Sequence, residues 1–124
     1  MKSLIRLMTC VLAASLVLVF GMKTALAQDP VRVDPKHYKV EFENDQVRVL
    51  RITYGPHEKS VMHEHPASVV VSLTDHDVKF TLPDGKTVEG HMKAGESGWR
   101  AAGTHLPENL GDKPLEAVLV ELKK

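Results

Sequence analysis

The sequence predicts an all-β domain, an antiparallel sandwich or small barrel. Three observations carry this. From Gln28 onward no segment sustains a helical period of apolar residues. Turn-forming residues recur about every 6–12 positions, and between them lie about eight or nine short runs that alternate apolar with polar residues or are rich in β-branched ones. There is no strand–helix–strand pattern and no glycine-rich phosphate loop, which excludes a doubly wound nucleotide-binding sheet.

The runs follow in order. Tyr38–Glu43 alternates apolar and charged residues as a half-buried strand does, and Asn44-Asp45 is a turn pair. Val47–Tyr54 places Leu50, Ile52 and Tyr54 on one face and Val47, Val49 and Arg51 on the other, and Gly55-Pro56 breaks it. Residues 60–65 read as a short strand closed by Pro66. Residues 68–73, with Val69, Val70 and Val71 in succession, read as a strand buried on both faces. Asp75-His76-Asp77 reads as a turn, and residues 78–82 and 87–92 as two strands joined by the hairpin loop Pro83-Asp84-Gly85-Lys86. Ala94-Gly95-Glu96 is a further turn before a run at residues 98–101, and Gly103 precedes another at 104–108. After the turn Gly111-Asp112-Lys113-Pro114, the last strand, Leu115–Leu122, sets Leu115, Ala117, Leu119 and Glu121 opposite Val118, Val120 and Leu122.

The first 27 residues read as an address. Lys2 and Arg6 precede an apolar stretch over residues 7–22, and Ala25-Leu26-Ala27 is an A-x-A cleavage signal, so residues 1–27 are expected to be a secretory signal peptide. An uncleaved anchor fits less well, because a stretch of 16 residues, apolar apart from Thr9, Ser15 and Gly21, falls short of the roughly 20 that span a bilayer. A periplasmic or secreted bacterial protein without stable membrane insertion follows, with residues 28–36 as a flexible arm holding Pro30 and Pro35 and residues 37–124 as the β domain. The whole chain has 16 basic and 16 acidic residues, but Lys2, Arg6 and Lys23 all lie in the leader, so the remainder is mildly acidic. That argues against nucleic acid as a partner, which would call for a basic patch. The single cysteine, Cys10, also lies in the leader, so the exported domain has no disulfide, thiolate nucleophile or cysteine metal ligand.

Chemistry then rests on histidines. His63 and His65 stand two apart on a strand, so both imidazoles project to one face with Cα atoms roughly 6.5–7 Å apart. Two ring nitrogens so placed can converge on one ion at about 2.0–2.1 Å each. His105, with Asn109 four residues on, supplies a third candidate. The competing reading is an apo pocket in which these histidines are hydrogen-bonding or titrating groups. His57 and His76 read as surface residues, His91 as a weak candidate, and Glu64 as solvent-facing between the two strand histidines. Trp99 reads as core, or as a pocket-rim residue beside Arg100; Arg51 and Arg100 could hold an anion, although single arginines on strands are usually solvated or ion-paired. Asn109 reads as orienting His105 or satisfying turn backbone.

With these residues in view, residues 38–122 resemble a small single-domain cupin. The first cupin motif, a glycine, a spacer, H-x-H and then a glutamate, is matched by Gly55, His63 and His65; the second by Gly95, Gly103, His105 and Asn109. The segments Val47-Arg48-Val49-Leu50-Arg51 and Glu108-Asn109-Leu110-Gly111-Asp112 are also similar to compact cupins. The sequence departs from the pattern where Ser68, Val69 and Val70 stand in place of the motif glutamate and Ala101 in place of its proline. The resemblance implies a jelly-roll double-stranded β-helix, a small-molecule ligand or substrate, a homodimer, and a divalent transition metal on His63, His65 and His105. As in some thiol dioxygenases of that family, three imidazoles suit Fe, Ni, Cu or Zn better than Mn, which prefers oxygen ligands. Two functions stay open: a metal-dependent enzyme such as a dioxygenase or isomerase, and a metal-free ligand-binding or accessory module.

Overall fold

The computed structural model describes residues 28–124; the expected signal peptide lies outside them. After a helical turn, α1 (Pro30–Val33), come β1 (Tyr38–Glu43), β2 (Val47–Tyr54), β3 (His63–His65), β4 (Ser68–Ser72), β5 (His76–Thr81), β6 (Thr87–Met92), β7 (Ser97–Arg100), β8 (Gly103–Asn109) and β9 (Leu115–Leu122). The first sheet runs β1-β2-β9-β4-β7 and the second β3-β8-β5-β6, with every neighbouring pair antiparallel. Pairing is nested: β5 with β6, β4 with β7, β3 with β8 and β2 with β9. A single long hairpin has thus been rolled up, which is the double-stranded β-helix, or jelly roll, with β1, β7, β3 and β6 as the edge strands of its two sheets.

Alternation decides which side chains point inward. On β2 the inward set is Leu50, Ile52 and Tyr54, and on β9 it is Leu115, Ala117, Leu119 and Glu121, the same groupings that alternation gives in the sequence. Tyr38, Leu50, Tyr54, Val70, Leu115 and Leu119 form much of the buried core, joined by Val78 and Met92 from the second sheet. The Tyr38 and Tyr54 hydroxyls hydrogen-bond each other at 2.6 Å, which satisfies two polar atoms inside an apolar interior. Burial lies behind the raised pKa of both tyrosines, so both remain protonated. The β5–β6 hairpin closes where predicted, with Gly85 at φ +86°, a backbone conformation that favours glycine.

Several local expectations are corrected. The strand expected over residues 60–65 is confined to β3, the three residues whose partners on β8 exist. His76 opens β5 instead of sitting in a turn, because it pairs with Met92 across the hairpin and turns inward with it. The valine run on β4 is not buried on both faces: Ser68, Val70 and Ser72 point in, and Val69 and Val71 are half-exposed outside. Trp99 is outside the core and outside the cavity, 59% exposed, because it pairs with outward-facing Val69 while its neighbour Arg100 turns inward. Residues 28–36 are not a loose arm. Asp29 caps α1, accepting from Val31 N at 3.0 Å, and forms an ion pair with Arg48 at 2.8 Å. Pro30 and Asp34 are buried, and Glu64 N on β3 donates to Gln28 O at 2.9 Å.

Asn109 satisfies turn backbone, the second of its two expected roles. Its amide nitrogen donates to Gly55 O at 3.1 Å and Lys113 O at 2.9 Å, and its oxygen accepts from Gly111 N at 3.0 Å. Asn109→Ala is expected to cost about 2–3 kcal/mol, because buried carbonyls lose their donor without a replacement; urea unfolding of the variant measures it.

Candidate metal centre and its cavity

Strand geometry delivers the three histidines to one place. His63 and His65 share the inner face of β3, and β3 lies beside β8 with His63 directly opposite His105. The ring centroids are 4.8 Å apart for His63–His65, 5.0 Å for His63–His105 and 5.3 Å for His65–His105, with steeply inclined planes. One ligand-capable atom from each ring lies within 4.8 Å of the others. A shift of order 1 Å would bring all three to a common bonding distance of about 2.0–2.1 Å. The other four histidines stay outside this cluster: His57 and His91 are exposed and paired with Asp112 and Asp77, and His76 lines the cavity elsewhere.

Hydrogen bonds fix which nitrogens face inward. His63 Nδ1 donates to Val61 O at 2.8 Å, and His65 Nδ1 donates to Glu121 Oε2 at 2.7 Å. Both acceptors lack a proton to give, so in a neutral ring the Nε2 lone pair remains. His63 Nε2 and His105 Nε2 are buried without any hydrogen-bond partner. An unpaired buried polar atom is costly, and two beside a third imidazole fit a site that binds a cation. Burial pushes the His63 imidazole down to about 4, helped by the nearby His65, and pushes His105 down to about 3, helped by His65 and His63. Both are neutral at neutral pH, the form that ligates metals. Aromatic rings hold the imidazoles in place: Tyr38 packs edge-on to His63 at 4.8 Å, and Phe80 stacks on His105 at 4.9 Å.

The sequence reading missed two groups. The motif glutamate is absent, but Glu121 brings a carboxylate to the site from β9. It is 1% exposed and held by Arg48 Nε at 2.6 Å as well as by His65. Burial alone would raise its pKa; the hydrogen bonds from His65 and Arg48 outweigh that and hold it below the usual carboxylate value. Arg48 also grips both oxygens of Asp29, so a chain of charge-assisted bonds runs from the N-terminal turn to an imidazole of the cluster. The only sequence signal was a glutamate at the end of an apolar face on the last strand. The other missed group is His37. It is stacked on Tyr54 at 4.3 Å and bonded to Asp34 at 2.7 Å and Glu58 at 3.0 Å. Asp34 also accepts from Ser60 Oγ, which lies 3.3 Å from His63 Nδ1. Lys36 and then His37 hold Glu58 down to about 2.

His65 and His105 open onto a cavity of about 270 Å³ between the two sheets. Its wall is mainly apolar, with Ile52, Val70, Val78, Phe80, Met92 and Leu119 prominent. Among the described residues no helix is long and apolar enough to cross a membrane.

Fold and site together define a small jelly roll of the cupin type with a three-histidine cluster beside its cavity. Solved structures show the same fold. A cupin domain from Bordetella pertussis Tohama I is 27% identical, with a TM-score of 0.66 over 70% of this chain and 92% of that one. An RmlC-like cupin family protein with a double-stranded β-helix fold, from Methanocaldococcus jannaschii, is 19% identical, with a TM-score of 0.55 over 73% of this chain and 84% of that one. A conserved protein with a double-stranded β-helix domain from Klebsiella pneumoniae is also 19% identical, with a TM-score of 0.54 over 70% and 83%. No family model matches the chain, and no curated protein sequence matches it.

Proposed function

We propose that this is an exported cupin-fold protein whose His63, His65 and His105 hold one divalent transition metal ion beside a cavity that receives a small molecule. The observation that carries this reading is the pair of buried, unpartnered Nε2 atoms of His63 and His105 beside His65. No backbone or side-chain group of the protein satisfies either atom, and an ion shared with His65 would satisfy both at once. Three neutral nitrogen ligands favour Fe, Ni, Cu or Zn. Such an ion, when bound, supplies a Lewis acid with coordination positions left open to a ligand. The chain's own contributions are distinct. Glu121 fixes the tautomer and orientation of His65, the Val61 carbonyl does the same for His63, and Phe80 fixes the plane of His105.

Elemental analysis of protein purified without chelators tests this. About one equivalent of metal is expected, falling below about a tenth in His63→Ala and in His105→Ala while circular dichroism shows both variants folded. Wild-type protein that stays empty after incubation with Fe, Ni, Cu and Zn salts would overturn the metal reading. Export is tested by the intact mass of the secreted protein, expected to begin at Gln28; a mass that includes Met1 would contradict it.

A further inference from the structure

Arg100, on the edge strand β7, sits opposite inward-facing Ser68 and lines the cavity at its rim, where it is itself exposed to solvent. It belongs to an inner cross-strand row that runs Arg48, Glu121, Ser68, Arg100 through β2, β9, β4 and β7. The next inner position on its strand is Gly98, where an added Cβ would lie 3.5 Å from Arg100 Nη1. The guanidinium thus lies back along the strand beside Gly98. Arg48 and Arg51 are both ion-paired, with Asp29 and Glu121 and with Glu41. Arg100, among the described residues, meets no carboxylate: its nitrogens reach only Trp99 O at 3.3 Å and Met92 Sδ at 3.6 Å. No aspartate, glutamate or lysine lines the cavity, so Arg100 is its single permanently charged side chain. His76, which lines the cavity from β5 of the second sheet, directs Nδ1 to Thr74 O at 3.1 Å, and burial lowers its pKa, so it adds no second cation.

We propose that the cavity accepts a small, largely apolar carboxylate, with its acid group on Arg100 and its body against Phe80, Val78 and Met92, facing the three histidines. A guanidinium without a partner beside an apolar wall selects for an anion with an apolar body, and its planar fork matches a carboxylate in two hydrogen bonds. Size sets the scale. An engineered apolar cavity of about 150 Å³ holds benzene, so about 270 Å³ has room for one ring with a short acidic substituent.

The inference names the ligand class for the cavity in the functional proposal, and its test does not depend on metal. Benzoate and benzyl alcohol are titrated calorimetrically into metal-stripped wild-type, Arg100→Gln and Arg100→Lys protein, with metal uptake measured on each. Wild-type protein is expected to prefer benzoate, Arg100→Gln to lose roughly tenfold to hundredfold in benzoate affinity, and Arg100→Lys to fall between. Benzyl alcohol affinity and metal uptake should be the same in all three. Benzoate that does not bind, or binds Arg100→Gln as well as wild type, overturns the inference even if metal is held. Arg100-dependent benzoate binding in a protein that takes up no metal upholds it while the metal reading falls.

Discussion

Glu121→Ala should be among the most destabilising single substitutions in the domain, at about 3–5 kcal/mol. Removing one member of a buried charged cluster leaves the rest uncompensated. Here Arg48 Nε and His65 Nδ1 would both point at a void, and only Asp29, on the outer side, would remain to pair Arg48. For a domain of this size about 4–8 °C of melting temperature follows each kcal/mol, so a fall of at least about 12 °C is expected. Glu121→Gln keeps the volume but offers one acceptor where two donors point. It should be milder in stability yet cost about 10–100-fold in metal affinity, the usual consequence of losing a group that orients a metal-bound imidazole. Thermal unfolding with and without added metal measures both. A melting point unchanged within about 2 °C in the alanine variant would show that the buried cluster contributes nothing.

The second large effect is expected at Asp34. One of its oxygens accepts from His37 Nδ1 at 2.7 Å and from Ser60 Oγ at 2.5 Å, and all three residues are buried. Asp34→Ala leaves two buried donors without their acceptor, a loss of about 3 kcal/mol. It also frees Ser60, which stands beside His63, so metal affinity should drop along with stability. Asp29→Ala, at a more exposed position, should cost about 1 kcal/mol. Chemical denaturation of both variants tests whether residues 28–36 are part of the folded domain. If they were an unattached arm, both substitutions would be silent.

The fold could be read from the sequence because its signals are local. Alternation separated the two faces of β2 and β9 as the structure has them, and Pro83-Asp84-Gly85-Lys86 marked its hairpin. The H-x-H spacing put His63 and His65 on one face by strand geometry alone. That His105 would lie opposite His63 could not come from spacing; it depends on β3 pairing with β8, a contact between positions about 40 residues apart, and the cupin resemblance supplied it. What escaped was long-range. Glu121 looked like a charge at a strand end, and only the roll of β9 beside β2 and β4 shows it buried next to His65 and Arg48. Trp99 was misread because size suggests burial, while facing is set by register with Val69. The N-terminal turn was misread because two prolines suggest a loose segment. Its order comes from Asp29 and Asp34 finding Arg48 and His37, and the Arg48 contact is not local.

X-ray absorption on the metal-loaded protein addresses directly whether the three imidazoles share one ion. The fine structure is expected to fit three nitrogen ligands at about 2.0–2.1 Å with the outer-shell scattering of three imidazole rings, and to fall to two rings in His105→Gln. A spectrum with one imidazole or none, or one that His105→Gln leaves unchanged, would contradict the three-histidine centre.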